Sequence, residues 1–160
     1  MLDLLPFERA ERMLDALAVD VVTAPGASDR LHHLVTHGPT DPEAVRVFAC
    51  VLYLGREDEG ATWWWQLAAG ADDNESAYCL RLDHMRRGEF NDAALWEEWL
   101  CDHFVPRSVA APSVERAYMT RKGLRFAVML LPRVNGDPEF GRLPCPTPRL
   151  ADIVASLRQL

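Results

Sequence analysis

Apolar residues recur at spacings of three and four through the first part of the chain, which is the period of a helix that buries one face. In a first helix, residues 6–23, these positions are Phe7, Ala10, Leu14, Leu17 and Val21. A shorter helix, residues 28–38, carries Leu31, Leu34 and Val35. Asp41 and Pro42 then supply a cap and a first-turn proline, which predict a third helix that runs to about Gly55.

Three more helices follow, and their residues resemble those of earlier helices when the sequence is shifted along itself. They are predicted at residues 58–70, 75–87 and 92–103. A shift of 32 residues places Ala61 on Ala93, Trp64 on Trp96, Val45 on Ala77 and Phe48 on Leu80. A repeat of about 30 to 40 residues with a helix pair in each unit is typical of an α-solenoid, in which neighbouring units bury each other's apolar faces. The pattern therefore predicts a mainly α fold, a solenoid-like array of antiparallel helix pairs.

The residues of these helices resemble a known repeat family. Residues 58–70 contain the motif Ala61-x-x-Trp64-Trp65-x-x-Ala68-Ala69, and the next helix contains Ala77 and Leu80 and stops at Gly88. This pattern is similar to the SEL-type branch of the tetratricopeptide repeat superfamily, and residues 88–93 resemble the G-x-Y-x-x-A corner of tetratricopeptide repeats. The resemblance covers roughly residues 42–103, with residues 7–38 as a degenerate first unit. It implies a protein-interaction scaffold, usually without catalysis.

The last third of the chain differs in composition. Seven of the 11 prolines lie in residues 106–160, a density incompatible with long helices. Within residues 113–131, apolar and other side chains alternate after the turn-like trio Arg121, Lys122 and Gly123, which predicts a β-hairpin. A helix over the same residues is the alternative. A turn at residues 135–138 and a closing helix over residues 148–160 complete the predicted fold, which we expect to form one compact domain.

Charge divides the chain in the same place. The formal net charge is −7, but residues 1–105 hold 20 acidic and 8 basic residues, whereas residues 106–160 hold 4 acidic and 9 basic ones. We therefore expect an acidic helical array, 1–105, with a basic segment, 106–160, packed on it. Sixteen of the 17 cations are arginine, a bias typical of a GC-rich bacterial genome. The absence of a long apolar run and of a basic region before the first apolar residues argues against a membrane span or a secretory signal, so a cytoplasmic protein is expected.

Two candidate binding features lie in the helical array. Arg81, Arg86 and Arg87 form its one basic cluster, on a helix that in tetratricopeptide-type units lines the concave face. There they would clamp a peptide carboxylate or acidic side chain. The alternative is that they pair with acidic neighbours on the surface. Trp65 is interpreted either as an anchor for a partner or as a core side chain against the helix 75–87.

A third candidate is the basic cluster of the last segment. Its members, within 18 residues, are Arg116, Arg121, Lys122, Arg125 and Arg133. We expect them to meet acidic helices, either of the same chain or of a second copy. Nucleic acid is not the expected partner, because the net charge opposes approach to a polyanion.

The chemistry-bearing motifs are missing. The sequence contains no CxxC or HExxH metal motif and no GxSxG, GxxxxGK[ST] or strand-linked GxGxxG motif, so no metal, cofactor or catalysis is expected. The predicted function is a non-catalytic adaptor or regulator that binds another protein, for which the acidic array suits a basic or regulatory partner. The alternatives are a structural subunit that assembles with copies of itself, and a metal or catalytic site around Cys79, His84 and Cys101.

Overall fold

The computed structural model describes residues 3–136 and 141–158, and these residues are mainly helical. The helices in order are α1 Pro6–Thr23, α2 Ala27–His37, α3 Pro42–Leu54, α4 Asp58–Gly70, α5 Asn74–Arg86, α6 Phe90–Trp99, α7 Val114–Met129 and α8 Pro148–Leu157. Two short strands, β1 Arg133–Asn135 and β2 Arg142–Pro144, lie between α7 and α8. The prediction of a mainly α fold is confirmed, and the structure adds a small two-stranded sheet near the C-terminus.

Side-chain caps begin several of these helices. The Asp41 carboxylate accepts a hydrogen bond from the Glu43 backbone N–H at 3.1 Å, and Pro42 occupies the first turn of α3. Asp73, Ser113 and Thr147 cap α5, α7 and α8 in the same manner. These caps satisfy backbone donors that have no partner inside the helix, which is why the starts of α3 and α8 are readable from the sequence.

The centre of the molecule is α3. From Ala44 to Leu54 all its side chains are buried except Arg46, because α1, α2, α4 and α7 pack around it. Phe48 meets the edge of Trp64 with ring centroids 4.9 Å apart. The Arg46 side chain is only 13% exposed and forms ion pairs with Asp73 at 2.6 Å and Glu75 at 3.0 Å.

The helices pack in the predicted pairs, and α1 makes contacts in addition to these pairs. α3 packs with α4 and α5 with α6, and α4 joins the two pairs. α1 lies against both α3 and α5, so its contacts extend beyond its neighbours in sequence. The contacts do not establish a solenoid arrangement, which stays a prediction.

The prediction of a β-hairpin within residues 113–131 is wrong, and the alternative prediction of a helix is correct. Residues 114–129 form α7, where Leu124 and Val128 lie one turn apart on the buried face while Phe126 faces solvent. The alternation that suggested a strand places side chains on both sides of a helix. The antiparallel ladder lies later, where Arg133 pairs with Pro144 and Asn135 with Arg142. The second half of the predicted turn, residues 137–138, lies outside the described residues.

Residues beyond the six-helix array dock on it at several places. α8 packs against α2 and buries Leu150, Ala151, Val154 and Leu157. The Ser28 hydroxyl donates to the Ala151 carbonyl at 2.8 Å, and the Trp64 indole N–H donates to the Pro144 carbonyl at 3.1 Å. α7 itself packs against α3 and α8, and its position beside the end of α3 creates the surface described next.

Candidate protein-interaction surface

Helix α7 buries only a narrow stripe of its surface. Thr120, Leu124 and Val128, at spacings of four, face the core. On the opposite face Tyr118, Phe126 and Met129 are 60%, 67% and 67% exposed. Large apolar side chains that cluster on one exposed face mark a site of interaction more often than isolated ones do.

This exposed face borders a groove of about 510 Å³, which we call the α7 groove. Its apolar lining is Leu54, Tyr118, Phe126 and Met129. Its charged lining is Arg56, Arg121, Lys122 and Arg125. The groove therefore combines apolar walls with four cations, and none of the lining residues is acidic.

The cations of the groove differ in their surroundings. Arg121 forms an ion pair with Asp15 at 2.7 Å and donates to the Leu54 carbonyl at 3.2 Å, so it is a fixed part of the wall. Arg56, Lys122 and Arg125 form no ion pair with any residue of 3–136 or 141–158. Within the described residues these three charges have no acidic partner, and they give the groove a positive potential.

A glycine brings the two sides of the groove together. A Cβ on Gly55 would lie 2.5 Å from Cγ2 and 2.8 Å from Cβ of Val128, so only glycine permits this approach of α3 to α7. The next residue, Arg56, has a φ of 66°, in the left-handed region that side chains other than glycine rarely adopt. The turn after α3 thereby places Arg56 beside a helix about 60 residues further along the chain.

A second, smaller groove lies on the other side of Phe126. It occupies about 270 Å³ between α7 and α8, with Leu130, Arg149 and Ile153 among its lining residues. Phe126 lines both grooves and forms the ridge between them. An exposed aromatic ring in this position offers a large contact area to a partner.

The arginines predicted to clamp a peptide are engaged inside the protein. Asp83 on α5 is 1% exposed and accepts a hydrogen bond from Arg86 Nε at 2.8 Å, with a further ion pair to Arg87. Arg81 pairs with Glu97. Burial is the largest single influence on the pKa of Arg86 and lowers it, but the charges of Asp83, Tyr53 and Asp58 together with the hydrogen bond to Asp83 outweigh it, so this pKa is raised. The alternative of pairing with acidic neighbours describes these arginines, except that Asp83 lies in the core and not on the surface.

Trp65 is a core residue. Its side chain is fully buried, and its ring centroid lies 5.7 Å from that of Tyr53. The interpretation of Trp65 as an anchor for a partner is therefore wrong, because the side chain presents no surface. A shift of 32 residues aligns Trp65 with Glu97, which is exposed, so the repeat pattern by itself does not indicate that Trp65 is buried.

The predicted basic cluster is split by the structure. Arg121, Lys122 and Arg125 line the α7 groove. Arg133 lies on β1 and forms an ion pair with Glu57 at 2.8 Å, and this hydrogen bond raises its pKa. Arg116 is half-buried in the first turn of α7, where its backbone N–H donates to Ser113.

Sequence reasoning missed the apolar half of the groove and Arg56. The signal for the apolar half was present, since Tyr118, Lys122 and Phe126 are spaced by four and share a helical face. This shared face exists only when residues 114–129 form a helix. No local pattern pointed to Arg56, because its place in the groove depends on a contact between distant segments.

The residues considered for a metal or catalytic site do not gather as proposed. Cys79 is buried, and a hydrogen bond with Cys50 together with burial raises its pKa well above the ordinary value of a thiol. His84 lies instead near Glu89 and Asp92, with the ligand atoms of the three within 4.8 Å of one another. Glu89 lies within hydrogen-bond distance of His84 at 3.1 Å and forms an ion pair with Arg87 at 3.4 Å, so two of the three groups already have protein partners.

Comparisons of the chain with family models, with curated protein sequences and with solved structures give no match. Among the described residues, no helix combines the length and the apolar character needed to cross a membrane.

Proposed function

We propose that the protein is a non-catalytic interaction module, an adaptor or regulator, whose α7 groove binds an acidic and partly apolar segment of a protein. One observation carries this proposal: Lys122 and Arg125 alternate with Tyr118, Phe126 and Met129 on one exposed face of α7, and nothing in the described structure covers them. Arg56 adds from the opposite wall a third cation that has no acidic partner among the described residues.

The chemistry of the groove selects the class of partner. Burial of the exposed apolar side chains favours association, while the unpaired cations favour a segment with carboxylates and disfavour a basic one. Arginine and aromatic residues are also the types that most often dominate binding energy at protein interfaces. The groove therefore suits an acidic partner, whereas the sequence pattern of the array suggested a basic one.

A protein segment fits this surface better than a nucleic acid does. Tyr118 and Phe126 do supply the aromatic platform that single-stranded nucleic acid uses. However, Met129 and Leu130 extend the same face with apolar area that a phosphate backbone would leave uncovered, and the net charge of −7 opposes a polyanion.

The finer predictions from the sequence belong to this proposal as well. The contacts α3–α4, α4–α5 and α5–α6 support two stacked helix pairs of tetratricopeptide type. The four free cysteines support a reducing compartment such as the bacterial cytoplasm.

The test is affinity capture from the source cells with the wild-type protein beside two groove variants. One reverses charge, Lys122→Glu with Arg125→Glu, and the other removes the aromatic ridge, Phe126→Ser. All three side chains are exposed, so the fold should persist. A variant with Arg12→Glu and Arg158→Glu, which lie exposed elsewhere on the surface, has the same change in net charge and serves as the control.

We expect the same captured protein with the wild type and the control, and its loss with both groove variants. Capture that is equal for all four proteins would refute the α7 groove as the binding site. Variants of Arg86 or Arg87 are unsuitable here, because each would remove one of the two cations that compensate the buried charge of Asp83.

A further inference from the structure

Helix α6, the last helix of the array, presents a second uncovered face. Within α6 only Ala93 is buried, because the helix packs mainly against α5. Phe90, Leu95 and Trp99 are 50%, 63% and 56% exposed. The Trp99 indole donates to the Ala69 carbonyl at 3.2 Å, which holds this ring in place at the surface.

The charge of α6 is opposite to that of the α7 groove. Residues 90–99 contain Asp92, Glu97 and Glu98 and no lysine or arginine. Glu97 pairs with Arg81, whereas Glu98 is exposed and forms no ion pair with the described residues. Exposed carboxylates beside exposed apolar side chains are the features that the α7 groove requires of its occupant.

We propose that the occupant of the α7 groove is α6 of a second copy of this chain. This inference rests on the proposed function, since it names the partner for the same groove. Leu95 and Trp99 would cover the apolar wall around Phe126, and Glu98 would lie near Lys122 and Arg125. The two surfaces lie on different helices, so each copy carries both a donor face and an acceptor groove.

The consequence is association between unlike surfaces of like chains. Copies that bind in this way form a closed dimer if both surfaces engage the same neighbour, and a ring or chain if they do not. Because the charges are exposed, salt screens their attraction, so association should weaken as salt rises.

Charge exchange between the two surfaces tests the pairing. The groove-reversed variant carries Lys122→Glu and Arg125→Glu, and the α6-reversed variant carries Asp92→Lys and Glu98→Lys. Sedimentation velocity over a range of micromolar concentrations at low salt measures the mass of each. Far-UV circular dichroism and thermal unfolding confirm that each variant is folded, and the Arg12→Glu, Arg158→Glu variant is the control for net charge.

We expect the wild type and the control to self-associate and each reversed variant alone to sediment as a monomer. An equal mixture of the two reversed variants should associate again, because every contact in it joins an acidic surface to a basic one. A chain that carries all four reversals should likewise self-associate. No general effect of net charge produces this pattern.

The outcomes separate the inference from the proposed function. A wild type that stays monomeric at every concentration and salt level refutes pairing with a second copy. If the groove variants then still lose a captured foreign protein, the groove is an interaction site and only its occupant was wrong. If they lose none, both proposals fail. Self-association that the groove reversal leaves unchanged also refutes the inference.

Discussion

A buried carboxylate, Asp83, joins two helices at the level of single residues. It lies on α5, accepts a hydrogen bond from the Thr62 hydroxyl of α4 at 3.3 Å, and pairs with Arg86 and Arg87. Arg86 in turn lies over the Tyr53 ring of α3, with its guanidinium carbon 5.2 Å from the ring centroid. One charged residue thus organises contacts among three helices.

The substitution Asp83→Asn tests this role. It keeps the size of the side chain but removes the charge that compensates the two arginines, of which Arg86 is largely buried. Removal of one partner from a buried ion pair is strongly destabilising, and because Arg87 is more exposed we expect the free energy of unfolding to fall by about 2–4 kcal/mol. Denaturant unfolding followed by tryptophan fluorescence measures it.

The matched control is Glu98→Gln, which makes the same chemical change at an exposed site. Its effect should stay within about 0.5 kcal/mol. If Asp83→Asn were no more destabilising than this control, the network around Asp83 would contribute nothing to stability.

At the scale of elements, local signals account for what the sequence predicted correctly. The range of α1 follows from its apolar period, and the start of α3 from the Asp41 cap and Pro42. The hairpin predicted for the segment of α7 was wrong, because the buried stripe of this helix is narrow and its other face carries aromatic residues, which also suit a strand. Tertiary packing determines whether such a segment is a helix or a strand. Here a helix lets Leu124 and Val128 pack together against α3 and α8.

The candidate site shows the same limit. Lys122 and Arg125 are visible as a basic cluster in the sequence, and their grouping survives because they lie on one helix. Arg56 joins them only through the approach at Gly55, which no local pattern encodes. The engagement of Arg86 and Arg87 by Asp83 follows from spacings of three and four, but the burial of Asp83 does not.

The contact between α3 and α7 yields a prediction at this scale. A methyl group at Gly55 would overlap Val128, so Gly55→Ala should force α7 away from α3 and lower the free energy of unfolding by about 1–3 kcal/mol. Denaturant unfolding measures the loss. Movement of α7 should also weaken binding at the α7 groove.

Gly70→Ala provides the control. Gly70 ends α4, and a Cβ there would meet no atom within 4 Å. Alanine in that helical position should be neutral or stabilise the protein by up to about 1 kcal/mol. Equal effects of the two substitutions would show that α7 accommodates the extra methyl group without cost.

At the scale of the whole molecule, opposite charges join the acidic array to the basic segment. Arg107 pairs with Asp20 at 3.1 Å and with Glu75 at 3.2 Å, and Arg133 pairs with Glu57. These pairs are partly exposed, and such pairs contribute about 0–1 kcal/mol each. The apolar contacts are stronger, since burial of each leucine or valine side chain contributes roughly 1.5–3 kcal/mol, and α8 alone buries two leucines and a valine.

We therefore expect the two segments to unfold as one unit, at low and at high salt. All five tryptophans lie between residues 63 and 99, so their fluorescence reports on the array. A dye on the thiol introduced by Ala155→Cys reports on α8 once the exposed Cys101 and the partly exposed Cys145 are removed by Cys101→Ser and Cys145→Ser. Because apolar burial and not ion pairing holds α8 in place, the two probes should give the same denaturant midpoint in both conditions. An earlier transition of the α8 probe at high salt alone would show instead that charge attraction holds the basic segment on the array.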